Sequence, residues 1–301
     1  MKIACIGEVM IELSLMGGSK EALVGVAGDT FNTAVYLKRT AAKHDVSYLT
    51  VLGTDSFSDQ IIERIAAENI GVDSIARTPD RVPGLYAINT DANGERSFTY
   101  WRDQAAARLL FSDATGPTLN DLTSFDVLYY SAITLAILPP QTRDRFLALL
   151  MEFRAMPGKQ VAFDSNYRPR LWSSQSEAQQ YIAEAWRQCD IALPSVDDEM
   201  DLFNDVDEDA ALQRLQQYGL HRGALKRGAS GPLDLADPAS SPVCSPVDKV
   251  VDSTAAGDSF NGAYLARLLD GATSQEAALA GHECASHVVQ HRGAIVDIQQ
   301  G

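Results

Sequence analysis

The stretch Asp252-Ser253-Thr254-Ala255-Ala256-Gly257-Asp258-Ser259-Phe260 carries the residue pattern richest in chemistry. Small residues from Ser253 to Gly257 run into a segment with helical spacing. Consecutive backbone N–H groups at that helix start would face outward with little side-chain obstruction, the geometry of an anion hole for phosphate. Asp258 then falls in the first turn, where the helix dipole favours its ionised form. A carboxylate beside an anion hole is not a phosphate binder; it is placed to take the proton of a hydroxyl that attacks phosphate. The plainer reading is an N-capping Asp in a Gly/Ala loop, and this segment alone leaves both open.

Other stretches could bring polar groups to the same place. Ala27-Gly28-Asp29-Thr30-Phe31-Asn32 reads by itself as a capped helix start. Asp164-Ser165-Asn166-Tyr167-Arg168 follows a short apolar run, and ligands of doubly wound sheets bind at strand C-termini. Lys226-Arg227-Gly228-Ala229-Ser230-Gly231 is a Gly-rich turn that lets backbone approach a ligand, a weak signal alone. His282, Cys284, His287 and His291 share one expected helix, with His287 and His291 at i, i+4, a spacing that could chelate zinc. Glu283 directly follows His282, but Ser286 stands where the second His would fall, so no H-E-x-x-H motif exists, and a partly packed, partly solvated face is the expectation there.

The elements that must position these residues alternate. Strands are expected at Lys2 to Gly7, Val46 to Leu52, Asp126 to Ser131, Gln160 to Asp164 and Asp190 to Leu193. Helices are expected at 29–39, 56–69, 139–155, 176–188, 196–203, 208–218, 257–269 and 275–290, and 222–235 has strand character. The stretch between the first strand and Gly28 reads as polar and irregular. Such alternation favours a parallel sheet covered by helices. The segment 84–102, GLYAINT-DANGE-RSFTYWR, breaks it with two alternating runs around Asn93-Gly94, a hairpin signal. It is expected in a small second sheet that acts as a lid or a dimer surface. The fold class is therefore α/β, one doubly wound, mostly parallel domain over 1–301 with a β lid built from about 8–16, 84–90 and 96–102.

Composition narrows the function. With 25 Lys+Arg against 40 Asp+Glu, the formal net charge of −15 argues against nucleic acid or an anionic membrane as the main partner, since both need a basic footprint. Glu8 and Glu12 interrupt the N-terminal apolar run, which a secretory signal would not carry, and no run approaches the roughly 18 residues of a membrane span. Cys5, Cys189, Cys244 and Cys284 have no CxxC spacing, so a zinc ribbon or redox dithiol has no support. A cytoplasmic protein is the expectation. A Rossmann dehydrogenase is disfavoured, because Gly7 is followed by Glu8, Val9 and Met10 and not by G-x-G-x-x-G.

Taken together, the motifs at 27–32, 164–168, 226–231 and 252–265 resemble the signatures of the ribokinase-like (PfkB) carbohydrate kinases over essentially the whole chain. The resemblance implies Asp258 as catalytic base and Ala255, Ala256 and Gly257 as anion hole, with Ala255 standing where the commonest family form has Gly. It implies sugar binding by Gly28, Asp29, Thr30, Phe31 and Asn32. It implies ATP binding by Asp164, Ser165, Asn166, Lys226, Arg227, Gly228, Ala229, Ser230, Gly231 and the 255–258 turn. Mg²⁺ bridging the phosphates is implied too. The N-x-x-E motif that often organises it is matched in Pro194-Ser195-Val196-Asp197-Asp198-Glu199 only at Glu199, with Asp197 and Asp198 read as first-turn acids. K⁺ is a further monovalent cofactor to consider.

Finer phrases, among them IGEVMIELS, VPGLYAINTDANGERSFTYWR and SNYRPRLW, are similar to a family member acting on a keto-deoxy sugar acid, phosphorylated at its C6 hydroxyl. Arg102 and Arg168 suit bidentate binding of such a carboxylate. Tyr86 and Tyr100 share strand parity and could close an aromatic wall over the sugar, with Trp101 beside them. The alternatives are a fructokinase or ribokinase, or a non-catalytic sugar-binding protein on the same fold. A homodimer through the lid is expected, because a two-stranded sheet with exposed aromatics is marginal alone.

Overall fold

A computed structural model describes residues 1–15, 21–90, 96–112 and 117–298. Along the chain come β1 (Lys2–Ile6), β2 (Met10–Leu15), β3 (Ala22–Ala27), α1 (Asp29–Thr40), β4 (Asp45–Gly53), α2 (Ser56–Ala67), β5 (Ile75–Thr78), β6 (Leu85–Thr90) and β7 (Arg96–Trp101). They are followed by α3 (Leu119–Leu122), β8 (Val127–Ser131), α4 (Ala132–Ile137), α5 (Pro140–Arg154), β9 (Gln160–Asp164), α6 (Gln175–Arg187), β10 (Ile191–Leu193), α7 (Val196–Phe203) and α8 (Glu208–Gln217). The chain continues with β11 (Ala224–Leu225), β12 (Leu233–Asp234), α9 (Ala256–Leu269) and α10 (Ser274–Val288).

Six strands form one parallel sheet in the order β10-β9-β8-β1-β4-β5. Helices cover both faces, so β8 is buried at every residue and its sequence, VLYYS, does not alternate. Successive residues of β1 serve opposite layers: Ile3 and Cys5 pack with Phe31 of α1 and Phe260 of α9, while Ala4 and Ile6 pack with Phe146 of α5 and Trp186 of α6. Gly262 lets α9 lie directly on α1, because a Cβ there would stand 2.6 Å from the Tyr36 Cβ and 2.7 Å from the Leu37 nitrogen. Beyond β10 the sheet is continued by single parallel bridges, Ala192 to Gly223 and Ser195 to Lys226. Gly223, at φ +143°, has backbone so close that a Cβ would overlap the Ala192 carbonyl.

The second sheet runs β3-β2-β6-β7, with β2 parallel to β6 and the other pairs antiparallel. The hairpin strands at 85–90 and 96–101 are present, while the Asn93-Gly94 turn lies outside the described residues. β3 is an addition: residues 22–27, read from sequence as irregular, form the fourth strand. β5 and α4 also went unanticipated, the first because four residues carry little periodicity, the second because AITLAI is a short apolar run that strand and helix share.

Candidate active site

A cavity of about 1380 Å³ opens where the C-terminal ends of the parallel strands meet the second sheet. Its lining joins the turns after β1, β3 and β9, the Lys226 loop, the start of α9 and the aromatic face of the hairpin. Open α/β sheets bind ligands at this end because helix N-termini and loop N–H groups converge there.

Asp258 sits half-buried in the first turn of α9. The close α1–α9 packing brings Asn32 to it, whose Nδ2 donates to Asp258 Oδ2 at 2.8 Å, and the Thr33 hydroxyl donates to the Asp258 carbonyl at 3.2 Å. Burial pushes the Asp258 carboxyl up to about 8, with the negative charge of Asp29 adding to the rise and the Asn32 donor opposing it. A carboxylate held near neutrality is matched to general-base work. The turn before it is strained: Ala255 is left-handed, φ +60° and ψ +17°. The Ala256 N–H donates inward to the Ser253 carbonyl at 3.2 Å. Of the expected anion hole, that leaves the N–H groups of Ala255 and Gly257, which have no backbone acceptor among the described residues. Lys226 Nζ lies close to Gly257, 3.8 Å from where a Cβ would stand.

Around this turn, cations and carboxylates are paired. Lys226 Nζ donates to Asp164 Oδ1 at 2.7 Å and to Asn261 Oδ1 at 3.0 Å, and Asn261 in turn donates to the Tyr129 hydroxyl at 3.1 Å. Asp29 accepts from the Ser131 hydroxyl and, at 2.9 Å, from Asn166 Nδ2; burial still raises its carboxyl above the ordinary value. Arg102, buried, donates Nη2 to the buried Glu8. Arg168 is 54% exposed and reaches Asp198 at 3.4 Å. Burial raises the Asp198 carboxyl, with Arg168 opposing.

The cavity gathers most of the residues singled out from the sequence: Gly28, Asp29, Asn32, Tyr86, Tyr100, Arg102, Asp164, Asn166, Arg168, the 226–231 loop except Ser230, and 255–258. Ring centroids of Tyr86 and Tyr100 stack at 5.7 Å, and Phe98 extends the wall at 6.4 Å from Tyr100.

Several expectations are corrected. Thr30 and Phe31 are fully buried away from the cavity, Thr30 bonded to the Tyr48 hydroxyl at 2.9 Å and Phe31 edge-on to the same ring. Trp101 pairs with Leu85 in register and so points to the opposite face from Tyr86 and Tyr100. Ser165 is buried and accepts the Ser195 N–H at 2.8 Å; Ser230 is exposed outside the cavity. Glu199 does not reach the cavity either. It is fully buried, 3.0 Å from Arg214 and 3.1 Å from the Trp186 indole nitrogen, and burial lifts its carboxyl to about 7. Asp197 and Asp198, in the same first turn of α7, do line the cavity.

Sequence reasoning missed Glu8, Phe98, Asp198 and Asn261. It also left His282 without a role, although this residue lines the cavity and its Nε2 lies 3.3 Å from the Ser245 carbonyl. Strand parity with Tyr86 and Tyr100 would have found Phe98. His287 and His291 bond to backbone carbonyls, and no group of three or more His, Cys, Asp or Glu that could hold a metal occurs among the described residues. Mg²⁺ keeps most of its waters and needs one or two protein carboxylates. Asp198 and Asp164, both lining the cavity, meet that requirement.

A turn of small residues at the start of α9, a carboxyl raised to about 8 beside it and an aromatic wall over the same cavity are parts that a kinase of small hydroxylated substrates needs. The chain belongs to the pfkB family of carbohydrate kinases, whose family model matches residues 1–300. It is 45% identical to the 2-dehydro-3-deoxygluconokinase of Escherichia coli over 98% of this chain and 97% of that relative. To the enzyme of the same name from Haemophilus influenzae it is 38% identical, over 98% and 96%. Among solved structures, the 2-dehydro-3-deoxygluconokinase of Thermotoga maritima superposes with a TM-score of 0.80 at 20% identity, covering 99% of this chain and 96% of that one. A fructokinase of Vibrio cholerae, solved with fructose, ADP and potassium ion bound, superposes at 0.82 with 24% identity over 97% and 93%. These two share the fold.

Proposed function

We infer that the reaction is ATP-dependent phosphorylation of 2-keto-3-deoxygluconate at its C6 hydroxyl, giving 2-keto-3-deoxy-6-phosphogluconate and ADP. The observation that carries this reading is Asp258, raised in pKa and set beside the free N–H groups of the 255–257 turn, in one cavity with Arg102 and Arg168. Asp258 takes the hydroxyl proton as the O6–P bond forms and the bond from the γ-phosphorus to the ADP oxygen breaks. The N–H groups of Ala255 and Gly257 and the Lys226 ammonium stabilise charge on the transferring group. Arg102 and Arg168 hold the sugar carboxylate, and Tyr86, Phe98 and Tyr100 cover the carbon chain. Asp198 and Asp164 would hold Mg²⁺, which would supply neutralisation of phosphate charge.

The second sheet acts as the lid that keeps water from the γ-phosphate. Its outer face exposes Leu15, Val24 and Trp101 together, and a second copy of the chain covers it in a homodimer. A monovalent cation such as K⁺ belongs to the same reading and is tested by exchanging KCl for NaCl in the assay. So does a cytoplasmic location, in keeping with four unpaired cysteines.

A coupled ADP assay over a panel of sugar acids and neutral sugars tests the substrate. The keto-deoxy acid is expected to give the highest kcat/KM, and Arg102→Ala and Arg168→Ala to raise its KM by about 10- to 100-fold, the usual scale for a lost charge-assisted hydrogen bond. Fructose or ribose outperforming the acid would overturn the assignment.

A further inference from the structure

Glu8 is an unexpected neighbour for a carboxylate-binding site. It lines the cavity, is 1% exposed, and was given no role in the sequence reading. Its Oε2 accepts from Arg102 Nη2, while its Oε1 is buried with no hydrogen-bond partner among the described residues. Arg102 shows the complementary gap, because its Nε is buried and has no acceptor among them. Gly84 approaches Oε1 closely: a Cβ there would stand 2.8 Å from that oxygen, so only glycine leaves the oxygen uncovered on this side. Buried polar groups in folded proteins are ordinarily satisfied, so an orphan acceptor and an orphan donor on one ion pair at a cavity wall point to a ligand that satisfies both.

We propose that Glu8 and Arg102 form one donor–acceptor unit that reads the substrate, in which Glu8 is a positioning and specificity-determining residue. Its Oε2 holds the guanidinium so that Nε faces the substrate carboxylate, and its Oε1 accepts a hydroxyl of the same molecule. A second carboxylate at Oε1 would be repelled, so the unit selects a hydroxylated monoacid over a dicarboxylate. Burial raises the Glu8 carboxyl above the ordinary value and Arg102 opposes the rise, which keeps an acid tolerable there only while the pair is intact. This assignment rests on the sugar-acid reading above.

The experiment is a double-mutant cycle on Glu8→Gln, Arg102→Gln and the double variant, with 2-keto-3-deoxygluconate and ATP and with thermal midpoints recorded for each. Glu8→Gln is nearly isosteric, and Arg102→Gln shortens the side chain and removes its charge. Glu8→Gln is expected to raise KM about 10- to 100-fold while kcat stays within about threefold, the scale of a hydrogen bond to a charged group. In the Arg102→Gln background the same change should add less than about threefold, because the two act as a unit. Glu8→Asp should recover part of the loss. A Glu8→Gln KM within twofold of wild type, a fall in kcat at unchanged KM, or additive effects on KM would overturn the proposal. If the unaltered chain does not phosphorylate the acid, the substrate reading fails instead; a normal wild type with an insensitive Glu8→Gln sinks only the role of Glu8.

Discussion

The protonation of Asp258 sets a quantitative expectation for the rate. With its carboxyl at about 8, about one molecule in eleven carries the free base at pH 7. If Asp258 accepts the hydroxyl proton, kcat/KM should rise about tenfold per pH unit below about 8 and level off above it. The Asn32 side chain donates to the ionised form at 2.8 Å and so lowers this value. A hydrogen bond to a charged group contributes about 1.5–3 kcal/mol, and about 1.4 kcal/mol corresponds to one pKa unit. Asp258 is only half-buried, so water replaces part of that contact, and Asn32→Ala should move the limb upward by about one unit. Asp29→Asn removes a negative neighbour and should move it downward. The assay is coupled ADP release between about pH 6 and 9.5, with kcat/KM determined for each substrate in turn. Asp258→Asn should lower kcat by about 10²–10⁴-fold throughout. A flat profile from about 6.5 to 9, or a limb that moves down in Asn32→Ala, would refute the assignment of the base.

Three further perturbations separate the roles of neighbouring residues. Asp198→Asn should raise the Mg²⁺ concentration needed for half-maximal rate by about tenfold, whereas Glu199→Gln should leave it unchanged, as a magnesium titration of each variant will read. Ala255→Gly should relieve the left-handed strain and raise stability by up to about 1 kcal/mol at preserved turnover, measured by urea unfolding; a less stable variant would contradict the strain argument. Trp101→Glu should turn the dimer into a monomer in sedimentation velocity, and a wild-type chain that sediments as a monomer at micromolar concentration removes that interface.

The alternation of elements was legible because buried parallel strands and amphipathic helices write themselves into local sequence. Most strands and helices sit within one or two residues of expectation. β3 was not legible, since ALVGVA is ordered by pairing with β2 and its edge position leaves three of its six residues exposed. At the site, the errors have a common cause: adjacency in sequence is not adjacency in space. Trp101 follows Tyr100 and faces away from it. Glu199 follows Asp198, and a helical step of about 100° turns it from the cavity to the Arg214 pair. Thr30 and Phe31 lie inside a motif whose other members face the ligand, yet the first turn of α1 directs them to the core. Asp258, Asn32 and Asp164 were legible individually; the close approach of α9 to α1 that joins the first two depends on Gly262, which carries no chemical signal of its own.

The net charge of −15 has the same sign as ATP and a sugar acid. Body charge acts weakly at the site, because at physiological salt it is screened over about 8 Å. Within the cavity the balance is nearer neutral than cationic, since four of the side-chain cations that line it have an acid of their own: Lys226 with Asp164, Arg102 with Glu8, Arg168 with Asp198, Arg227 with Glu208. Such pairing keeps the cations oriented and keeps the site from holding stray anions tightly. It also means that Lys226 and Arg168 can turn to bound anions at little expense only where Asp164 and Asp198 gain another positive partner. On the proposed role of these two carboxylates, affinity for ATP is expected to depend on the divalent cation. The backbone N–H groups at the start of α9, which carry no counter-charge to give up, supply the part of the attraction that does not depend on it.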